Sequence, residues 1–153
     1  KIAKNEKGLS QNKQEIGYLS DDFIKNLNIT IPMIDYDTDN VKPKWIHTKL
    51  ADKAEEKDFI NELNVTLKEF VLFCRYSILP SKNLDKDKHD LIDSKINKNS
   101  NLYKSFTKLL QHYHDLEAGD LLRIENWGIY KNKLVIIDIG FDSTSKALYS
   151  LSK

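Results

Sequence analysis

Hydrophobic positions recur at helical spacing in three parts of the chain. Between residues 10 and 27, Ile16, Leu19, Phe23 and Leu27 fall at three- and four-residue steps, which predicts helix. Gly17 weakens that helix, and Ser20 offers a second start, with Asp21 and Asp22 in a first turn where the helix dipole favours acids. Residues 64–80 carry the clearest helix signature. Thr66 and Glu69 match a capping box, and Val65 with Phe70 matches a hydrophobic staple. Leu67, Phe70, Val71, Cys74 and Ile78 make the buried stripe, and Pro80 ends it. Residues 100–117 predict the third helix. Ser100 caps it, Leu102, Phe106, Leu109, Tyr113 and Leu116 share a face widened by Tyr103 and Leu110, and Gly119 is placed to end it in the left-handed conformation.

Elsewhere the pattern is that of strands and turns. Residues 1–4 predict the end of a strand, with Lys1 and Ala3 on one face, and Gly8 breaks it. Residues 29–36 are β-type, but Pro32 cannot donate to a ladder, so this is an edge strand or a strand entry. A turn over residues 35–43 leads to a second strand at 44–50, paired with the first as a hairpin, in which His47 is a pairing or surface residue. Residues 81–99 are mostly Lys, Asp and Asn with Leu91-Ile92 as the apolar spot, and predict a mobile charged loop or a short helix. His112 and His114 are two apart, so they point to different helix faces and cannot chelate one metal as an i,i+4 pair could.

Composition narrows the function classes. A chain of 153 residues suits a single domain with one core. The net charge of +1 shows no basic excess, which argues against an extended nucleic-acid footprint. No apolar run approaches membrane-spanning length and no signal peptide is recognisable, so a cytoplasmic protein with no membrane partner is expected. The lone Cys74 excludes a disulfide framework, suits a reducing compartment, and is expected as a small core residue rather than a reactive thiol. Lys and Asn are abundant, as in products of AT-rich genomes, which describes codon supply and not function. The sequence opens at Lys1 without Met, as expected of a fragment or of the ordered part of a longer protein.

Candidate chemistry concentrates in residues 119–140, GDLLRIENWGIYKNKLVIIDIG. Asp120 lies in a turn, Asn126-Trp127-Gly128 follows, and the apolar strand of residues 134–137 stops on Asp138, with Gly140 two residues on. A carboxylate at the end of a buried strand costs several kcal/mol unless it is paired or binds a cation. Asp120, Asn126 and Asp138 all carry oxygen ligands and could converge. Magnesium needs only one or two such ligands beside a phosphate.

This segment resembles the catalytic loop and metal-binding turn of the protein-kinase-like fold, in which an Asp opens the loop, an Asn closes it and a strand pair leads to Asp-x-Gly. Its wording, NWG with VIIDIG, is most similar to small kinase-like proteins of tailed phages. By that resemblance Asp120 matches the catalytic Asp, Asn126 the metal-binding Asn, and Asp138-Ile139-Gly140 the metal-binding Asp-x-Gly. Three departures stand: Asn126 comes one residue later than the kinase spacing, Ala118-Gly119 replaces His-Arg, and Ile139 replaces Phe. In KIAKNEKGLSQNKQEI, Lys1 (with Lys4 as runner-up) and Glu15 resemble the Lys–Glu pair that steadies the phosphates. The glycine-rich phosphate loop is absent from the sequence.

The resemblance implies an α+β, reduced two-lobed kinase-like domain. Residues 1–50 would form a partial β-rich N-lobe and 51–153 a minimal helical C-lobe with a catalytic-loop-like hairpin, with residues 49–52 approaching an adenine-binding hinge. It implies an ATP- and Mg2+-dependent phosphotransferase of unknown acceptor, with Asp120, Asn126 and Asp138 catalytic, Lys1, Glu15 and Asp138 on the nucleotide, and Asn126 and Asp138 on the metal. The alternative is a catalytically inactive kinase-like module that binds a protein partner, as a phage product acting on a host factor in the host cytoplasm or carried in the virion. A plain α+β domain with no kinase relation would give the same order of elements.

Overall fold

The computed structural model describes residues 1–79, 84–114, 116 and 118–139. Pro80, Gly140 and residues 141–153, each assigned a role or a place from the sequence, lie outside these. Among the described residues the protein is mixed α+β, with seven α-helices and two small antiparallel sheets.

Residues 1–3 form an extended edge. Ile2 bridges Trp45, Ala3 N–H donates to the Lys44 carbonyl at 2.8 Å, and Ile46 N–H donates to the Lys1 carbonyl at 2.9 Å. This edge flanks strand β2 (Ile46–Thr48), which pairs on its other side with β1 (Met33–Tyr36). Helix α1 (Glu6–Ser20) packs beside them. Gly8 does not interrupt the chain as its sequence position suggested. It sits in the first turn of α1, where its N–H is capped by the Asn5 side chain at 2.9 Å. A Cβ there would lie 3.2 Å from that of Ala3, so glycine lets the helix start against the strand.

Pro32 divides the β-type stretch of residues 29–36 rather than placing it at one edge. Ile31 N–H donates to the Ile136 carbonyl at 2.9 Å and Ile136 N–H to the Ile29 carbonyl at 2.7 Å, so residues 29–31 join the second sheet. Residues from Met33 onward join the first. Proline, lacking an N–H, stands where the chain changes partner.

The second sheet runs β3 (Asp52–Lys53), β4 (Trp127–Tyr130), β5 (Lys133–Ile136). The β4–β5 turn uses Lys131 and Asn132, both at positive φ, the conformation a two-residue hairpin requires. Gly128 is needed for close approach: a Cβ on it would lie 2.8 Å from the Ala51 Cβ and 2.9 Å from the Asp52 carbonyl oxygen. The residues expected at a hinge are thus pressed against the hairpin.

Helix α4 (Leu67–Ile78) carries the expected capping box, with Thr66 Oγ1 accepting from Glu69 N–H at 3.1 Å and Glu69 accepting from Thr66 N–H at 2.9 Å. Its stripe lies in one core with α6 (Asn101–His112), α1 and Trp127. Helix α3 (Glu56–Leu63), which the hydrophobic pattern did not announce, buries Phe59 and Leu63 one turn apart. The charged stretch of residues 81–99 contains a short helix, α5 (Lys86–Asp93), capped by Asp85 and docked through His89, which stacks on Phe73 and approaches Ser77 Oγ at 3.0 Å.

The third predicted helix is shorter than its hydrophobic face. It stops at His112, with Tyr113 N–H bonded to the Leu109 carbonyl. Gly119 is not the left-handed cap: its φ is not positive, and it belongs to a separate turn of helix, α7 (Ala118–Leu121). The Tyr113 hydroxyl donates to Asp21, and Arg75 Nη1 donates to the carbonyls of His114 (2.8 Å) and Leu116 (3.2 Å). These bonds fix the chain after α6 in a path that leaves the helix axis, so glycine is not what ends it.

Candidate functional site

The fold brings Lys1 and Glu15 to the end of β5. The Lys1 ammonium pairs with Glu15 Oε2 and also reaches Asp138 Oδ1 at 2.9 Å, bonding residues 137 apart in sequence. Glu15 is nearly inaccessible, with 2% of its side chain exposed, whereas Lys1 and Asp138 are 37% and 43% exposed. Asp138 is therefore a rim carboxylate rather than the buried strand-end group expected from the sequence. It lies two residues past β5, where the ladder no longer encloses it.

Electrostatics follow from this placement. Burial pulls the Lys1 ammonium down, but the carboxylates of Glu15 and Asp138 outweigh it and hold its pKa above the ordinary value. Burial pushes Glu15 up, against the pull of Lys1, and the charge of Asp138 adds to the rise. A buried carboxylate without its cation is strongly destabilising, and the Lys1 ammonium is the partner that opposes the rise.

Asp120 and Asn126 form the second half of the cluster. Asp120 lies in α7 rather than in an open turn, and half-buried. Burial raises its pKa, the charge of Asp138 raises it further, and the Asn126 amide, Arg123 and Lys1 oppose the rise. Asn126 is buried, and its Nδ2 donates to the Asp120 carbonyl at 2.8 Å. Trp127 Nε1 makes the parallel bond to the Leu121 carbonyl, also 2.8 Å. Two adjacent side chains thus close overlapping loops, each onto a carbonyl six positions back. The Asn126 carbonyl in turn accepts from Ile137 N–H at 2.8 Å, which ties the loop to the residue before Asp138.

All five residues singled out in the sequence (Lys1, Glu15, Asp120, Asn126, Asp138) therefore belong to one connected constellation. Lys4, the runner-up to Lys1, is exposed and takes no part in it. Gly140 lies outside the described residues. No group of three or more His, Cys, Asp or Glu side chains able to hold a metal forms among the described residues. The donor set is nonetheless of the oxygen type that hard cations take: two mutually repelling carboxylates, Asp120 and Asp138, beside one carboxamide.

Two cavities, of about 690 and 400 Å3, open elsewhere, and none of the five residues lines either. One structural residue escaped the sequence reading. Asn12 is buried on α1 and its Nδ2 donates to the Pro43 carbonyl at 3.1 Å, which fixes the helix that presents Glu15. Its spacing of three residues from Glu15 on a helix was the available signal.

Compared with protein-family models, with curated proteins and with solved structures, the chain matches none.

Proposed function

We propose that the chain is an ATP- and Mg2+-dependent phosphotransferase of kinase-like type whose acceptor is open. The observation that carries this reading is the Lys1 ammonium held between Glu15 and Asp138. A lysine fixed by a buried glutamate has its charge and direction set in advance, so it can receive nucleotide phosphates without reorganising. Asp138 and Asn126 would hold magnesium, which when bound neutralises phosphate charge. Asp120, its pKa raised and its backbone held by Asn126, would orient an acceptor hydroxyl and accept its proton.

The test is a thermal-shift titration with ATP, with and without magnesium, on the protein and on Asp138→Asn. Ligand that binds only the folded state raises the melting temperature with concentration. The expected result is a magnesium-dependent rise in the protein that is lost in Asp138→Asn, whose fold stays intact. Absence of any rise in the unmodified protein overturns the reading.

A second reading, a kinase-like binding module without catalysis, is favoured by Asp120 lying in a helical turn. Its partner would be another protein, including a host factor if the source is a phage.

A further inference from the structure

The cavity of about 690 Å3 lies at the opposite end of the β4–β5 hairpin from Asp138, between α3, the end of helix α2 (Asp22–Leu27) and α6. Its volume is that of a small-molecule site. Its floor is apolar, formed by Leu27, Ile29, Leu102, Ile129 and Leu134.

The walls are polar in a particular way. On α6, Asn101, Lys104 and Lys108 stand three and four residues apart, so one face of the helix points into the cavity while Phe106, Leu109 and Leu110 enter the core. Lys133 faces them from β5. Among the described residues the ammonium groups of these three lysines have no carboxylate partner. Opposite lie two acids of α3. Asp58 accepts from Glu55 N–H at 2.7 Å and Glu62 accepts from Ser100 Oγ at 2.6 Å. Five carboxamides complete the lining. Those of Asn28 and Asn132 have a conformational reason, since both residues are at positive φ, where asparagine is tolerated. Those of Asn26, Asn61 and Asn101 have none, and no hydrogen-bond partner among the described residues.

We infer that this groove binds a small phosphorylated polyol, independently of the proposed nucleotide site. Three ammonium groups, of Lys104 and Lys108 on α6 and Lys133 on β5, supply the charge a phosphate requires. The carboxamides and carboxylates of the lining accept from hydroxyls, and the amides also donate to them. The apolar floor suits the carbon face of a sugar ring. A simple polyanion would meet Asp58 and Glu62, so hydroxyl donors opposite the phosphate are what the acidic wall selects.

The probe is glucose 6-phosphate, titrated into the 15N-labelled full chain with glucose and inorganic phosphate as comparisons. The expected result is saturable amide shifts over residues 101–108 and 132–134, with affinity for glucose at least tenfold weaker than for its phosphate. The Lys104→Gln/Lys108→Gln variant, substituted at two exposed positions, should keep its melting temperature and weaken glucose 6-phosphate at least tenfold. Asp138→Asn should leave it unchanged, which separates this site from the nucleotide cluster. The inference is overturned by absence of saturable shifts at those amides, by equal affinity for glucose, by indifference to the double substitution, or by loss of binding in Asp138→Asn.

Discussion

Single side chains in this protein show how position decides what a group can do. Cys74 is buried on α4 and its thiol is pushed up to about 12, because burial disfavours the thiolate. It should therefore resist a disulfide reagent under native conditions and react fully once denaturant unfolds the core. Rapid labelling of the folded protein would show that the helix is not packed as described. Asp21 is the opposite case. Its carboxylate accepts from the Tyr113 hydroxyl and from Phe23 N–H, and the Tyr113 bond foremost holds its pKa below the ordinary 3.8. A depressed carboxylate pKa contributes stability that is present above 3.8 and lost as pH falls through the lower folded value. Asp21→Asn keeps a capping side chain but not the charge. At pH 7 it should be less stable by about 0.5 kcal/mol, a modest loss because the site is solvent-screened. The difference from the unmodified protein should close as both are titrated below the Asp21 pKa, and a gap that persists there would show that charge is not the cause.

At the scale of elements, two glycines make opposite predictions. Gly17 lies exposed within α1, at a φ that is not positive, with nothing within 4 Å of an added Cβ. Gly17→Ala should stabilise by about 0.5–1 kcal/mol through helix propensity and a less flexible unfolded chain. Gly128→Ala should destabilise by about 1–3 kcal/mol, since its Cβ would press on Ala51 and the Asp52 carbonyl, both backbone-anchored. Urea titration of both variants distinguishes them by the sign of the midpoint shift. These elements also mark what the sequence could tell. Thr66 and Glu69 announced α4 because capping is local chemistry, whereas Gly17 did not reveal that α1 continues through it to Ser20. Helix α3 was not legible, because its cap is Glu55, outside the usual capping residues, and only Phe59 and Leu63 mark its buried face. The early end of α6 was not legible either, because it depends on Arg75 and Asp21, which are distant in sequence. Of the site, the residue types were readable in Asp120, Asn126 and Asp138. The burial of Glu15 and the exposure of Asp138 required the fold.

At the scale of the molecule, stability is unevenly shared, and the proposed site lies across the division. The contiguous core joins α1, α3, α4, α6 and the β4–β5 hairpin. The sheet of residues 1–3, β2 and β1 adds little to it. Its ladders are short, β1 is broken by a register shift, and Ile2, Ile34, Tyr36 and Trp45 remain exposed around the buried Ile46. Local opening has a low free energy where few apolar contacts must be broken. Amides of α4 and α6 should therefore exchange with deuterium at rates set by global unfolding, and those of β1 and β2 orders of magnitude faster. Lys1 links the two regions through Glu15 on α1 and Asp138 beyond β5, so its ion pairs hold the weak sheet against the strong core. Lys1→Met removes both charged contacts while keeping an unbranched side chain, and leaves Glu15 buried without its cation. It should accelerate exchange at Ile46 and neighbouring β2 amides by at least tenfold while leaving Val71 and Leu109 within about twofold. Equal acceleration in both regions would show that the sheet and core unfold as one unit and that Lys1 is not the joint between them.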